Sequence, residues 1–243
     1  MLCLHRGAVP VTRAELAAVP TPPGAGRWKP IAHAELVDSI LDRAAICGLE
    51  VAEERFGLQA EGNRLYGALR FQPHPNLALP EGMAPCLGLR NSHDKTAAVQ
   101  IIVGANVFVC DNGVFQGDFK LRRKHTSGFS LDHGVDEVFQ RFSDGIGALN
   151  LMVNELKNRL LKPKDASHLI LTAFRKKAMP WKYLPEVVRE YHHPQHEEFQ
   201  PRNAWSLYNS VSEIVKRRSP RDQIRTFRVL NAVLCGTTAS AAN

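Results

Sequence analysis

Six consecutive polar residues, Asn91-Ser92-His93-Asp94-Lys95-Thr96, concentrate more chemistry than any other stretch of the chain. They offer an amide, hydroxyls, an imidazole, a carboxylate and an ammonium, the groups that bind ligands, move protons or hold metals. An apolar run of strand type follows, and then a second polar cluster, Cys110-Asp111-Asn112-Gly113. A strand of about nine to twelve residues sets its ends roughly 30–40 Å apart at ~3.3 Å per residue. The clusters can meet only if the chain doubles back or another subunit joins them. The pattern therefore reads as two ends of a binding surface, with Asn91, Ser92, His93, Asp94, Lys95 and Asn112 as candidate binding residues.

A catalytic alternative exists: a hydrolase or nuclease using the Asn91-Ser92-His93-Asp94 cluster. Neighbouring residues on a strand point to opposite faces, so a Ser-His-Asp relay does not follow from consecutive positions. Neither a G-x-S-x-G elbow nor a G-x-x-x-x-G-K-[ST] phosphate loop occurs. Asn91, Ser92 and Asp94 have short side chains that readily bond local backbone, which equally fits a turn-stabilising role. Cys110 with His93 as its base would make a thiol nucleophile, but a cysteine ending an apolar strand is usually just buried. His192 and His196 are zinc-type residues at helical spacing, yet Pro194 between them disfavours the helix. No catalytic or metal constellation is complete, no cofactor is expected, and the balance leans away from an enzyme.

The elements that position these residues carry an uneven charge. Net charge is +7, but residues 1–119 balance at −2 and residues 120–243 at +9. The excess lies in clusters around Lys120, Arg122, Arg123 and Lys124, around Lys157 and Lys164, at Arg175-Lys176-Lys177, and at Arg217, Arg218 and Arg221. Such a field suits a polyanion, so nucleic acid is the expected partner, single-stranded DNA favoured. Trp181, Tyr183, Trp205 and Tyr208 are placed to stack bases, although helical spacing makes Trp205 and Tyr208 part of a packing face. A protein-interaction or host-defence-countering role is the other alternative, because a basic surface serves either. The five scattered cysteines read as reduced thiols. With no apolar run near ~20 residues and no signal-peptide pattern at the start, a cytoplasmic location without membrane contact is expected.

The order of elements predicts an α+β fold: an antiparallel β meander packed by a long helix, followed by a basic helical C-terminal half. Residues 1–30 read as an extended, proline-rich arm strapped by Trp28, 31–132 as the α+β sheet region, and 133–243 as the helical region, all one integrated domain. A helix is expected at 33–47, strands at 49–59 and 64–72 around a Glu61-Gly62-Asn63 turn, and further strands at 86–90 and 97–110. Residues 114–132 read as a loop or extra hairpin that protrudes, and 135–161 as one long helix. Helices follow at 165–177, 181–191, 204–217 and 220–235, with Asp165 and Ser219 as N-caps. The run 97–110 is apolar at nearly every position, so both faces need covering, by the C-terminal helices or by a second subunit in a homo-oligomer.

Two blocks carry a family resemblance: LRNSHDKTAAVQIIVGANVFVCDNGV, and AWSLYNSVSEIVKRRSPRDQIRTFRVLNAVL near the end. They resemble the phage- and plasmid-encoded domain of unknown function 932 family, in which N-S-[HY]-D-[GK]-[ST] precedes an apolar strand and C-x-N. That family also carries W-x-L-x-N-[AS]-x-[ST]-E, matched here by Trp205, Leu207, Asn209, Ser210, Ser212 and Glu213. The entry from Trp28 to His33 is similar too, and Lys95 stands where many members have glycine. The resemblance implies no activity; it implies a mobile-element setting with DNA-processing neighbours. In outline the predicted fold is also similar to single-strand annealing proteins.

Overall fold

The computed structural model describes residues 8–75, 77, 79–80, 82–107, 112–218 and 220–236, with backbone alone for 106–107, 112–120, 220–221 and 224. Six strands form one antiparallel sheet in chain order: β1 (Val9–Val11), β2 (Val51–Gln59), β3 (Arg64–Phe71), β4 (Met83–Ser92), β5 (Val99–Val107) and β6 (Asn112–Arg123). The expected turn joins β2 to β3. Ala60, Glu61 and Gly62 all take positive φ there, and the Asn63 side chain donates to the Ala60 carbonyl at 2.8 Å. Register then sorts the side chains by face. Phe56, Leu65, Leu69, Leu87, Leu89, Ile101 and Leu121 share one face and are buried.

That face is covered by α2 (His33–Ile46), α3 (Leu131–Gln140) and α4 (Phe142–Asn158). Phe142 meets Phe71 edge to face at 5.7 Å, and Gly134 lets α3 approach Leu121 and Phe129 too closely for a Cβ. The opposite face carries a transverse row, Tyr66–Arg90–Gln100–Arg122, with the Arg90 guanidinium 5.3 Å from the Tyr66 ring centre. Ile101 and Ile102 point to opposite faces and both are buried, so one chain covers both sides of β5.

The helical half comprises α5 (Pro163–Arg175), α6 (Leu184–His192), α7 (Ala204–Val215) and α8 (Pro220–Leu234). Every residue of α7 is buried. Several of its polar groups are satisfied locally, whereas the Tyr208 and Ser212 hydroxyls are buried without a partner among the described residues. The Ser210 hydroxyl donates to the Leu207 carbonyl at 2.7 Å, the Asn209 amide to that of Trp205 at 2.9 Å, and Glu213 pairs with Lys216 at 2.6 Å. Trp205 and Tyr208 stack within the core, 5.4 Å apart, and Phe227 continues the stack.

The structure departs from the sequence expectations in four places. The arm holds β1 and the short helix α1 (Arg13–Ala17), whose Thr12 and Glu15 form a reciprocal capping box and whose Leu16 enters the core. The expected long helix is two helices that break at Arg141 (φ −101°, ψ 1°), because α3 packs on α2 and β6 whereas α4 follows β5 and α7. Residues 114–132 do not protrude. Most of that run is β6, the partner that the apolar β5 requires, with Leu121 in the core and Phe129 packed against it. The N-cap of α5 is Lys162, with Pro163 at the first helical position, and Asp165 sits in the first turn instead. Ser219, Cys110 and Asp111 lie outside the described residues. Among the described residues no helix is long and apolar enough to cross a membrane.

Candidate functional site

The polar knot is built from the end of β4 and the turn that follows, and its side chains bond inward. Asn91 is wholly buried: its amide nitrogen donates to the Ile31 carbonyl at 2.8 Å and to His33 Nδ1 at 3.0 Å, while its oxygen accepts the Ser92 N–H at 2.9 Å. His93 Nε2 donates to the same Ile31 carbonyl at 2.9 Å, and its backbone N–H reaches the Asn63 carbonyl. The Ser92 hydroxyl donates to the Ala97 carbonyl and accepts the Ala97 N–H, closing the turn. Asp94 accepts from the Thr96 N–H and hydroxyl and from Arg64 Nε at 2.6 Å. Burial disfavours the Asp94 carboxylate, but the bonds from Thr96 and Arg64 outweigh it and hold its pKa below the ordinary value.

His33 completes the knot from the first turn of α2. Its ring stacks on His93, centroids 3.9 Å apart and planes within 3°. Nε2 donates to the Gly62 carbonyl at 2.9 Å, which leaves Nδ1 as the acceptor for Asn91 and fixes the neutral tautomer. A second ring proton would oppose the Asn91 amine. Burial first, then the neighbouring His93, lowers the His33 pKa to about 4 against the Gly62 bond. The knot's chemistry is thus used in pinning the segment before α2 to the edge of the sheet.

That pinned segment, the 95–98 turn and the end of β6 enclose a cleft of about 630 Å³, lined by Arg27, Trp28, Lys95, Thr96, Ala97, Ala98, Arg122, Lys124, His125 and Thr126. Gly26, at φ +58°, makes the tight turn that brings Ala25 and Trp28 into mutual backbone bonding. Trp28 then bridges to Thr126, Lys29 donates to the His125 carbonyl and Ser127 to that of Arg27. Lys95 has φ +61°, the left-handed region glycine prefers, and its ammonium lies 4.7 Å from the Trp28 ring centre.

Several arginines elsewhere meet a carboxylate: Arg13 meets Asp38, Arg43 Asp136, Arg55 and Arg70 Glu53, Arg64 Asp94. Among the described residues Arg27, Lys95, Arg122 and Lys124 meet none, and no acidic residue lines the cleft. His125 is 4% exposed, and among the described residues neither its ring nitrogens nor the buried Trp28 Nε1 has a partner. Burial and the nearby His93 lower the His125 pKa.

Of the residues expected to bind nucleic acid, the cleft gathers Arg122 and Lys124, together with Lys95 from the knot. Arg123 turns to the other face and pairs with Glu137 at 3.0 Å. Arg218 pairs with Asp222 and lies over the Tyr183 ring. Arg175, Lys176, Lys177 and Arg217 are exposed but do not line the cleft. The backbone of Asn112 and Lys120 belongs to β6 and that of Arg221 to α8; their side chains lie outside what the structure describes. Asn112 pairs with Val107, at the far end of β5 from the knot, so the two polar clusters do not meet. His192 ends α6 and His196 follows Pro194, in separate short elements. Sequence reasoning passed over Arg27, Trp28 and His125 as site residues. The available signal was a lone tryptophan between Gly26 and the Lys29-Pro30 step, and a histidine closing a basic run.

The molecule is thus an antiparallel meander backed by helices, with a cationic cleft where its N-terminal segment crosses the sheet edge. The chain belongs to the family described as domain of unknown function (DUF932), whose profile matches residues 25–234. That match begins just before the Arg27–Trp28 wall of the cleft and ends at the close of α8. No curated protein and no solved structure gives a significant match.

Proposed function

We propose that the protein binds nucleic acid, single strands in preference to duplex, and that the cleft beside Trp28 is where it does so. The observation that carries this is the convergence of Arg27, Lys95, Arg122 and Lys124, all without carboxylate partners among the described residues, on a space that also holds an aromatic ring. Cations held together without counter-charges repel one another, and a polyanion relieves that repulsion. A space of about 630 Å³ accommodates a nucleotide or two but not a duplex, which favours a strand. In the mobile-element setting that the family resemblance implies, this is the role of an accessory protein of a phage, prophage or plasmid that handles exposed strands, as in annealing or recombination. The knot supports this role by placement: it holds the Trp28 segment and presents Lys95.

Fluorescence anisotropy with single- and double-stranded oligonucleotides over a salt series tests the reading. Single strands should bind more tightly, with log K falling by about 0.7 per neutralised phosphate for each unit of log salt. Absence of detectable binding to any oligonucleotide at ~50 mM salt would overturn it.

A further inference from the structure

We infer that a second contact with a single strand lies outside the cleft, at the corner where α5 ends, where Trp181 stacks a base and Arg175, Lys176, Lys177 and Lys182 meet the phosphates. This rests on the protein being a strand binder, and carries the bound strand beyond the cleft. The corner is firmly built. Lys177 closes α5 in the left-handed region, at φ +60°, with its N–H on the Phe174 carbonyl and the Ala178 N–H on that of Ala173. The Thr226 hydroxyl of α8 donates to the Ala178 carbonyl at 2.6 Å and ties the next loop to the body. A single 3-10 turn, Trp181–Tyr183, follows. The Trp181 ring rests on the buried Phe174 ring, centroids 5.5 Å apart, yet Trp181 stays 53% exposed. Trp28 is half-buried and Trp205 buried, so Trp181 is the tryptophan that offers its ring to solvent.

A ring backed by the core on one side and open on the other is a platform for one flat partner. Charge selects that partner. Arg175, Lys176, Lys177 and Lys182 are exposed, and none meets a carboxylate among the described residues. No acidic residue occurs from 166 to 185. The negative end of the α5 dipole accounts for cations in its last turn, but not for Lys182 or for an exposed ring beyond the helix. Lys182 Nζ and the Arg218 guanidinium each lie 5.1 Å from the Tyr183 ring centre. Tyr183 is thereby occupied, and Trp181 is left as the stacking face. A single strand satisfies both features at once, because unpaired bases stack on aromatic rings while the phosphates neutralise the cations. A duplex keeps its bases stacked on one another, and an anionic membrane takes up a whole apolar helix face rather than one ring.

The experiment measures the anisotropy of two labelled single strands, about five and about thirty nucleotides long, on the full chain. At ~3.4 Å per stacked base the longer one spans about 100 Å. That is enough to reach cleft and corner together on a chain whose radius of gyration is about 18 Å, whereas the shorter one serves the cleft. Trp181→Ala should weaken the long strand roughly tenfold, the worth of one base stack. Short-strand affinity and the salt slope should not change, because the lost contact is uncharged. Trp181→Phe should restore most of the loss. The double variant Arg175→Gln, Lys182→Gln should weaken the long strand and make its salt slope shallower by about 1.4, as for two phosphates on a single strand. Both of its side chains are exposed, so it keeps the test open should Trp181→Ala disturb the corner. Long-strand affinity unchanged in both variants overturns the inference and leaves the cleft as the site. A loss equal for the two lengths overturns it as a second contact; if Arg122→Gln then alters neither strand, the cleft reading falls too. Vesicles of phosphatidylcholine and phosphatidylserine are the control. Binding to them that Trp181→Ala abolishes, with strand affinity unchanged, assigns the corner to a membrane and overturns the inference.

Discussion

On one side of Lys95, the side chains of Asn91, Ser92, His93 and Asp94 direct their hydrogen bonds into the protein: to Ile31, His33, Ala97, Thr96 and Arg64. On the other side, Arg27, Arg122 and Lys124 meet no carboxylate among the described residues, and both nitrogens of His125 lack a protein partner. The two clusters share a turn. One is closed and satisfied, the other open and unsatisfied. A conspicuous polar motif can thus serve as the fastening that places a less conspicuous site. Unsatisfied polar groups beside a cavity are a better pointer to ligand chemistry than the density of polar residues in sequence.

The largest effect should come from cutting the fastening. Asn91→Ala removes bonds to Ile31, His33 and Ser92 in a fully buried place; His93 still serves the Ile31 carbonyl, but His33 Nδ1 and the Ser92 N–H are left unmatched. A loss of about 2–4 kcal/mol in urea unfolding is expected, from the stranded donor and acceptor groups. Strand binding by the fraction still folded should weaken as well, because the Trp28 wall loses its anchor. A loss below ~0.5 kcal/mol would break the comparison, by showing that the knot is not holding anything.

Acid should act on the same cluster. With the folded pKa of His33 lowered to about 4, the unfolded chain binds more protons than the folded one between its ordinary value near 6.5 and about 4. Stability therefore rises with pH through that window and is lost as pH falls through it, by up to about 1.4 kcal/mol per pH unit for this one group. Asp94, its pKa also lowered, adds loss in the same direction at still lower pH. Unfolding midpoints measured from pH 7 to 4 check this; a flat profile would mean that His33 is not buried as a neutral ring.

Lys95→Gly separates the two clusters most finely. Glycine relieves the left-handed backbone at φ +61° but gives the unfolded chain more freedom, so stability should change by less than about 1 kcal/mol. Strand affinity should nonetheless fall several-fold, since one cleft cation and its contact with Trp28 are lost. Unchanged affinity would mean that Lys95 belongs only to the knot.

The sequence made parts of this visible and hid others for physical reasons. The turn at Glu61-Gly62-Asn63 and the helix from His33 were legible because both rest on local chemistry, turn residues in one case and a 3–4 apolar stripe in the other. The capping box of Thr12 and Glu15 was equally local but lay hidden among prolines. The break at Arg141 was not legible, because the apolar stripe runs on through Phe139 and Phe142; the different partners of α3 and α4 decide it. Nor was β6, whose basic residues blur the alternation and whose strand state depends on β5. The cleft draws on residues 27–28, 95–98, 122 and 124–126, which long-range contacts such as the Trp28–Thr126 bridge and the β5–β6 register bring together. No periodicity reports such a junction.

The most direct test of the central claim is the single-strand affinity of the double variant Arg122→Glu, Lys124→Glu, measured over a salt series beside wild type. Both residues are exposed and carry no carboxylate partner among the described residues, so the thermal midpoint should hardly move. Affinity at low salt should fall roughly a hundredfold, and the salt slope should become shallower by about 1.4, as for two phosphate contacts on a single strand. Unchanged affinity and slope in this variant, with the loss appearing instead in a variant of Arg175, Lys176 and Lys177, would contradict the account and move the nucleic-acid surface to the helical half.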